Sequence, residues 1–475
     1  MLFNSLEFLL FFPLVTILYF LLKHPYRWIL LLAASCVFYM FFKPVYILIL
    51  GFTIVIDYIA GIYIEKAADK KQKKKFLVLS IIANVGVLAI FKYYNFFNDN
   101  ITSLASFMGF SNSIPYLNIL LPIGLSFHTF QAMSYTIEVY RGNQKAERHF
   151  GIYALYVMFY PQLVAGPIER PQNILPQLHT EKNFNYESAV IGLRLMLWGF
   201  FKKMVIADNL SIIVDNVYNN PSQQNGFTFL IATYFFTFQI YCDFSGYSDI
   251  ALGSAKIMGF DLMKNFNIPY ISKSIKEFWE RWHISLSSWF RDYLYIPLGG
   301  NRVKKSRWIL NLFIVFLVSG FWHGANWTFI VWGALHGTYL ILEILLKPTT
   351  DKLLYTTSKF GKFISVIITF HLAMLAWIFF RASSIEAAMF ALNQIFTNLF
   401  TSFSLTGTAS APLLIFSLFI TAALFYIIDF MKENKRIKEL FFSSSYLRYG
   451  VYLFLIYTIL LFGNTDKTQF IYFQF

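Results

Sequence analysis

The chain has 475 residues, of which 57% are hydrophobic, 20% aromatic and only 13% charged. A soluble chain carries about 25% charged residues, so an ordinary soluble enzyme, a disordered segment and a collagen-like fibre are all excluded. The net charge of +14 gathers in short loops: EKAADKKQKKK (65–75), NRVKKSR (301–307), 347–362 and KENKRIK (432–438). The positive-inside rule places these in the cytoplasm, and no nucleic-acid partner is needed to explain them.

In chain order, LEFLLFFPLVTILYFLL (6–22) is long enough to cross about 30 Å of hydrocarbon. No basic n-region or small-residue cleavage site marks it as a signal peptide, so it is expected to remain as a transmembrane helix. Apolar segments follow at about 27–42, 45–62, 76–93, 118–137, 151–165, 188–206 and 227–242. Several fall below the roughly 17 residues an upright crossing needs. Short or interrupted segments are tolerated at membrane depth only where they line a protein cavity, which points to an internal chamber. Cys36 and Cys242 sit in apolar surroundings and read as packing residues.

QLVAGPIERP (162–171) sets Pro167 and Pro171 around Glu169 and Arg170 and reads as a loop after an apolar helix. YCDFSGYSDIALG (241–253) places Asp243, Ser245, Ser248 and Asp249 in a membrane-like stretch. Carboxylates there are functional candidates, with helix–helix hydrogen bonding as the alternative.

The stretch 264–302 is the densest mixture of polar and aromatic residues. Helical spacing predicts one stripe of Phe278, Trp282, Trp289 and Tyr293 and another of Trp279, His283, Phe290 and Leu294, stopped by Pro297 and the Gly299–Gly300 pair. An interfacial helix with a Trp belt would explain most of it. His283 does not fit, because an anchoring helix would carry Leu there.

The apolar hairpin 308–346 contains His323 and His336. From Arg307 to Phe321 a helix rises roughly 22 Å, about 8 Å short of the outer hydrocarbon edge. His323 is therefore expected in the outer half of the membrane, facing a cavity or a partner rather than lipid. Gly320 and Gly324 beside it permit close approach of backbone or substrate. His336 reads as a polar contact between helices. His24, His128, His149, His179 and His371 belong to no constellation.

Segments 363–380, 411–430 and 446–462 complete the count at about ten to twelve spans. Parity through the basic loops then puts the tail 463–475 outside. No metal spacing, Walker loop, nucleophile elbow or dinucleotide fingerprint is present. Neither a metal nor a bound cofactor is expected, and histidine is left as the candidate general base.

QLVAGPIERP, YCDFSGYSDIALG, FWERWHISLSSWFRDYLYIPLGGNR and FWHGANWTFIVWGALHG together resemble the membrane-bound O-acyltransferase family over roughly 160–340. The likeness is to its bacterial cell-envelope branch, which includes membrane subunits of alginate and peptidoglycan O-acetylation and of teichoic acid D-alanylation. The resemblance implies an all-α polytopic fold, with residues 1–462 as one domain ringed around a thinned, tunnelled centre. It implies His323 and His283 as the catalytic pair. Trp282, Trp322, Asn326 and Asp243 become candidates for lining the tunnel or docking the tail. YIPLGGNR (295–302) favours acetylation over D-alanylation.

By the same resemblance the chain belongs in the bacterial inner membrane. Its donor would be acetyl-CoA or an acyl-carrier thioester. An external SGNH-hydrolase-like partner would complete transfer to an envelope polysaccharide. The ending FIYFQF (470–475) resembles the acceptor motif of the small D-alanylation subunit. This implies Tyr472 as acyl carrier, with Phe470 and Phe473 docking the tail. Nine residues from Gly463 span up to about 30 Å, enough to reach His323. The alternative class is a transporter or flippase, whose paired half-helices are not found in the sequence.

Overall fold

A computed structural model of the chain describes residues 1–119, 121–164, 166–353, 358–399, 443–464 and 470–471, without the side chains of 347–353. The expected span 411–430 and the basic loop 432–438 lie outside the described residues. Those described form helices and connecting turns, with no strand among them. Seven helical stretches among them are long and apolar enough to cross a membrane: 44–66, 70–107, 226–257, 305–323, 327–346, 359–381 and 445–462. The protein is an all-α polytopic membrane protein.

The contacts divide the chain into two compact units. One comprises residues 1–194 with 251–264, the other 195–250 and the described residues from 265 onward.

The first unit holds α1 (Leu6–Leu21), α2 (His24–Met40), α3 (Ile47–Lys66), α4 (Lys70–Leu88), α5 (Tyr94–Phe107), α6 (Leu125–Arg141), α7 (Phe150–Met158), α8 (Tyr160–Leu163) and α9 (Pro171–His179). Ser5 caps α1 by accepting from Phe8 N–H. α3, α4 and α6 pack together, and Gly61 makes this possible: a Cβ there would lie 2.6 Å from the Tyr135 ring. Asp57 sits wholly buried between these helices, where it accepts hydrogen bonds from Ser80 and Asn84. Buried polar groups in such helices need partners of this kind. The predicted loop at 162–171 is a buried turn. Glu169 is fully buried and accepts from Met263 N–H and Asn173 Nδ2, which binds the turn to the 261–263 strip of the same unit.

α10 (Tyr186–Phe200) and α12 (Gly226–Ile257) pass from one unit into the other, with α11 (Asp208–Asn219) between them. The second unit continues with α13 (Ile275–Arg281), α14 (Ile284–Phe290), α15 (Lys305–His323), α16 (Trp327–Leu353), α17 (Lys359–Arg381), α18 (Ile385–Thr397) and α19 (Ser445–Phe462). Two glycine seams let backbones touch here. A Cβ on Gly199 would meet Gly246 O at 2.6 Å, and one on Gly320 would meet Phe329 O at 2.3 Å. Small residues at such crossings are how membrane helices gain contact without a hydrophobic drive between them.

Candidate active site

All the geometry that follows lies within the second unit. The continuous helix that the stripes from Phe278 to Leu294 predict is in fact broken. α13 ends at Arg281, His283 takes φ 41°, and α14 starts at Ile284. Neither Trp282 nor His283 is a helix breaker by propensity. The break is held from elsewhere in the sequence: Asn267 N–H donates to Arg281 O, Ile284 N–H donates to Asn265 O, and Ser285 Oγ bonds Asn265 Oδ1 at 2.6 Å. A left-handed backbone at a non-glycine residue costs of order 1–3 kcal/mol and marks functional positions more often than others. Nor does the aromatic face of this stretch turn outward as a belt would. Phe278, Trp282 and His283 are at most 1% exposed.

His283 lies among aromatic rings, with Phe244 at 4.6 Å edge-on and Trp322 at 6.4 Å between centroids. Burial pushes its imidazole down to about 3, so it is uncharged at neutral pH. Trp322 in turn meets His323 at 5.0 Å. His323 ends α15 and is 4% exposed, enclosed by Trp332 at 5.0 Å and Phe380 at 5.4 Å. One indole thus joins the two histidines. α15 starts at Lys305, and its 19 residues rise about 28 Å. Gly320 and Gly324 leave room for α16 rather than for open space: a Cβ on Gly324 would overlap the Phe329 ring at 2.1 Å.

Behind the histidines stands a wall of indoles. Trp282 meets Trp377 at 5.0 Å, and Trp377 stacks on Trp332 at 5.7 Å. His336 adds a polar contact between helices, its Nδ1 accepting from Trp279 Nε1–H at 3.3 Å. Asn326 starts α16, with Oδ1 accepting from Thr328 N–H and Nδ2 donating to Ser383 O. It therefore shapes the hairpin at the edge of the site.

Asp243, a sequence candidate, is joined by two lysines that the sequence reading did not single out. Lys202 and Lys203 were read within an apolar segment; they lie on a π-helical turn, 201–207. Lys203 is 1% exposed and pairs with Asp208 and Asp243, each at 2.7 Å. Lys202 pairs with Asp249 at 2.8 Å and donates to Ser245. Two lysines inside one apolar segment and two aspartates inside another were the available signal, since such charges pair with one another.

The second oxygen of Asp243 accepts from Ile471 N–H at 2.7 Å. Phe470 is fully buried, its ring 4.6 Å from Tyr247 and 5.6 Å from Phe244. Upstream, Asn464 N–H donates to Met204 O and Asn209 Nδ2 to Phe462 O. The structure thus brings together His283, Trp322, His323, Asp243 and Phe470. Tyr472 and Phe473 lie outside the described residues. Among the described residues no group of three or more His, Cys, Asp or Glu side chains could hold a metal ion.

Residues 147–385 match the MBOAT, membrane-bound O-acyltransferase family. The chain is 40% identical over 392 residues to the probable alginate O-acetylase AlgI of Pseudomonas aeruginosa, covering 82% of this chain and 73% of that protein. It is 38% identical over 391 residues to the peptidoglycan O-acetyltransferase of Helicobacter pylori, covering 77% and 72%. To the teichoic acid D-alanyltransferase of Streptococcus thermophilus it is 30% identical over 285 residues, covering 54% and 68%.

Proposed function

Since the chain belongs to the membrane-bound O-acyltransferase family, we propose that it takes an acetyl group from a cytoplasmic thioester and delivers it outward, through an ester on Tyr472, for O-acetylation of an envelope polysaccharide. O-Acetyl rather than D-alanyl transfer accords with the greater similarity to the O-acetylating relatives. The observation that carries the route through the tail is the run of ring contacts from Phe470 through Phe244 to His283, and through Trp322 to His323. Residue 470 is thereby tied to the histidine pair, two residues before the tyrosine.

The chemistry then needs one base. His323 takes the phenolic proton of Tyr472 as the phenol oxygen attacks the thioester carbonyl. The C–S bond breaks, and the departing thiolate recovers the proton. A thiol is a better leaving group than a phenol, whose pKa is near 10, so the tetrahedral intermediate expels thiolate rather than reverting to phenolate. The aryl ester in turn acylates a hydroxyl of lower acidity, held by an external SGNH-hydrolase-like protein, and regenerates the phenol. His283, uncharged and buried against Phe244, orients the thioester and excludes water. The buried aromatic shell keeps the ester from hydrolysis.

Incubation of the purified protein with radiolabelled acetyl-CoA tests this. Label should appear on the C-terminal peptide, carried by Tyr472 in its mass spectrum. His323→Ala and Tyr472→Phe should each remove it while the protein still inserts and purifies normally. Retained acyl transfer in His323→Ala, or label unchanged in Tyr472→Phe, would overturn the scheme.

A further inference from the structure

The first unit has a cleft of its own, of about 200 Å³, between the end of α1, the start of α2, the turn before α7 and the end of α9. Its floor is apolar, formed by Leu31, Ile152, Leu155 and Phe260, while its polar groups are basic. Arg27 is the deepest, at 7% exposure. Its Nε donates to Leu22 O at 2.9 Å, Nη1 donates to the Lys182 carbonyl, and its guanidinium carbon lies 4.9 Å over the Tyr19 ring.

Carbonyls and a ring face hold the guanidinium in place without neutralising it. Glu65 is committed to Arg148, and Glu147 to His179, which also lines the cleft; among the described residues no ion pair includes Arg27. A cation this deeply buried ordinarily has a counter-charge. Further positive potential converges on the same spot. The Lys182 ammonium lies 5.8 Å from the Phe260 ring that lines the cleft. The N-terminus of α2 also lies here without a side-chain cap; Pro25 has no N–H and Tyr26 N–H bonds Lys23 O, so what it adds is the positive end of the helix dipole. His24 and His149 complete the rim.

The cleft can be assigned to one face. Glu65 closes α3 beside the basic loop 65–75, and it accepts from Ala146 N–H and pairs with Arg148. The turn that lines the cleft thus lies at the basic-loop end, which faces the cytoplasm by the positive-inside rule. The lipid leaflet there is anionic, and basic pockets between membrane helices on that side take lipid headgroups.

We propose that this cleft binds the phosphodiester headgroup of an anionic phospholipid. The phosphate sits on Arg27 and the first turn of α2, and acyl chain lies along the apolar floor. The volume supports a headgroup, since pockets for whole drug-sized ligands begin at about 300 Å³.

Native mass spectrometry of the full chain, released from vesicles of equal phosphatidylglycerol and phosphatidylcholine, is the test. Phosphatidylglycerol should be retained selectively. Arg27→Gln should lower its retention at least about five-fold, the weight of one basic residue at an anionic surface, and Arg27→Lys should keep most of it. Because Arg27 also joins backbone segments, Lys182→Gln provides a second, milder variant, expected to lose about two- to five-fold. Equal retention of the two lipids, or unchanged retention in Lys182→Gln and in correctly folded Arg27→Gln, would refute the site. Displacement of bound lipid by inorganic phosphate or coenzyme A would refute the lipid as occupant and assign the cleft to a soluble phosphoester.

Discussion

His283 shows how much one residue can be constrained. Its backbone occupies the left-handed region, its side chain is fully buried, and burial holds the imidazole near 3 against an unfolded value near 6.5. Between those values the unfolded chain binds a proton that the folded chain does not. Stability from this residue is therefore complete above about pH 6.5 and falls by about 1.4 kcal/mol for each unit of acidification below it. His283→Asn accepts the same backbone, since Asn is enriched at positive φ, and it cannot titrate. At pH 7.5 the variant should melt below the wild type, having lost ring packing of about 1–2 kcal/mol. The gap between the two melting temperatures should close as pH falls below about 6 and reverse sign towards 4.5. A gap independent of pH, measured in the same detergent, would show that His283 is charged or solvated in the folded protein. The imidazole was legible as an intruder on an apolar helix face. Its break in the helix was not, because the bonds that hold it come from Asn265 and Asn267.

At the scale of the element, α15 and α16 position His323 by contact between backbones. A Cβ on Gly320 has no space: Phe329 O would lie 2.3 Å away and Gly333 Cα 3.1 Å. Main-chain atoms cannot step aside as a flexible side chain does, so Gly320→Leu must part the two helices. Overpacking of this kind costs about 1–3 kcal/mol, and a shift of about 1 Å at a reacting group can cost roughly a hundredfold in rate. Acyl transfer should thus fall by at least about tenfold in a variant that still inserts. Gly86→Ala in α4 is the contrast. Nothing lies within 4 Å of its Cβ position, and Ala is favoured over Gly in a helix by about 0.5–1 kcal/mol, so activity should be unchanged and the melting temperature equal or higher. Equal activity in Gly320→Leu would show that the seam does not set the histidine's position. Gly320 and Gly324 were visible in the sequence as places of close approach; that the approaching group is α16 emerged only from the packing.

For the whole molecule, the proposed division of labour has a direct consequence. Acetyl transfer to Tyr472 needs only this chain and a thioester, while transfer to polymer needs the external protein as well. Proteoliposomes holding labelled acetyl-CoA on the cytoplasmic side should therefore yield labelled protein but no labelled polysaccharide, until an SGNH-hydrolase-like partner is added. Efficient polymer acetylation by the chain alone would remove the need for a partner and for a tyrosine carrier awaiting it.

Membrane residence was determined by composition, because burial in hydrocarbon depends on the summed apolar content of each segment and on nothing distant. The family was likewise legible, since its motifs are contiguous runs such as FWHGANW. The tertiary structure alone decided three things: the break at His283, the pairing of Lys203 with Asp243, and the seating of Ile471 on that same aspartate. Each joins residues far apart in the chain. A buried charge or an unpaired backbone group states only that a partner must exist, and which partner it takes is settled when the helices pack.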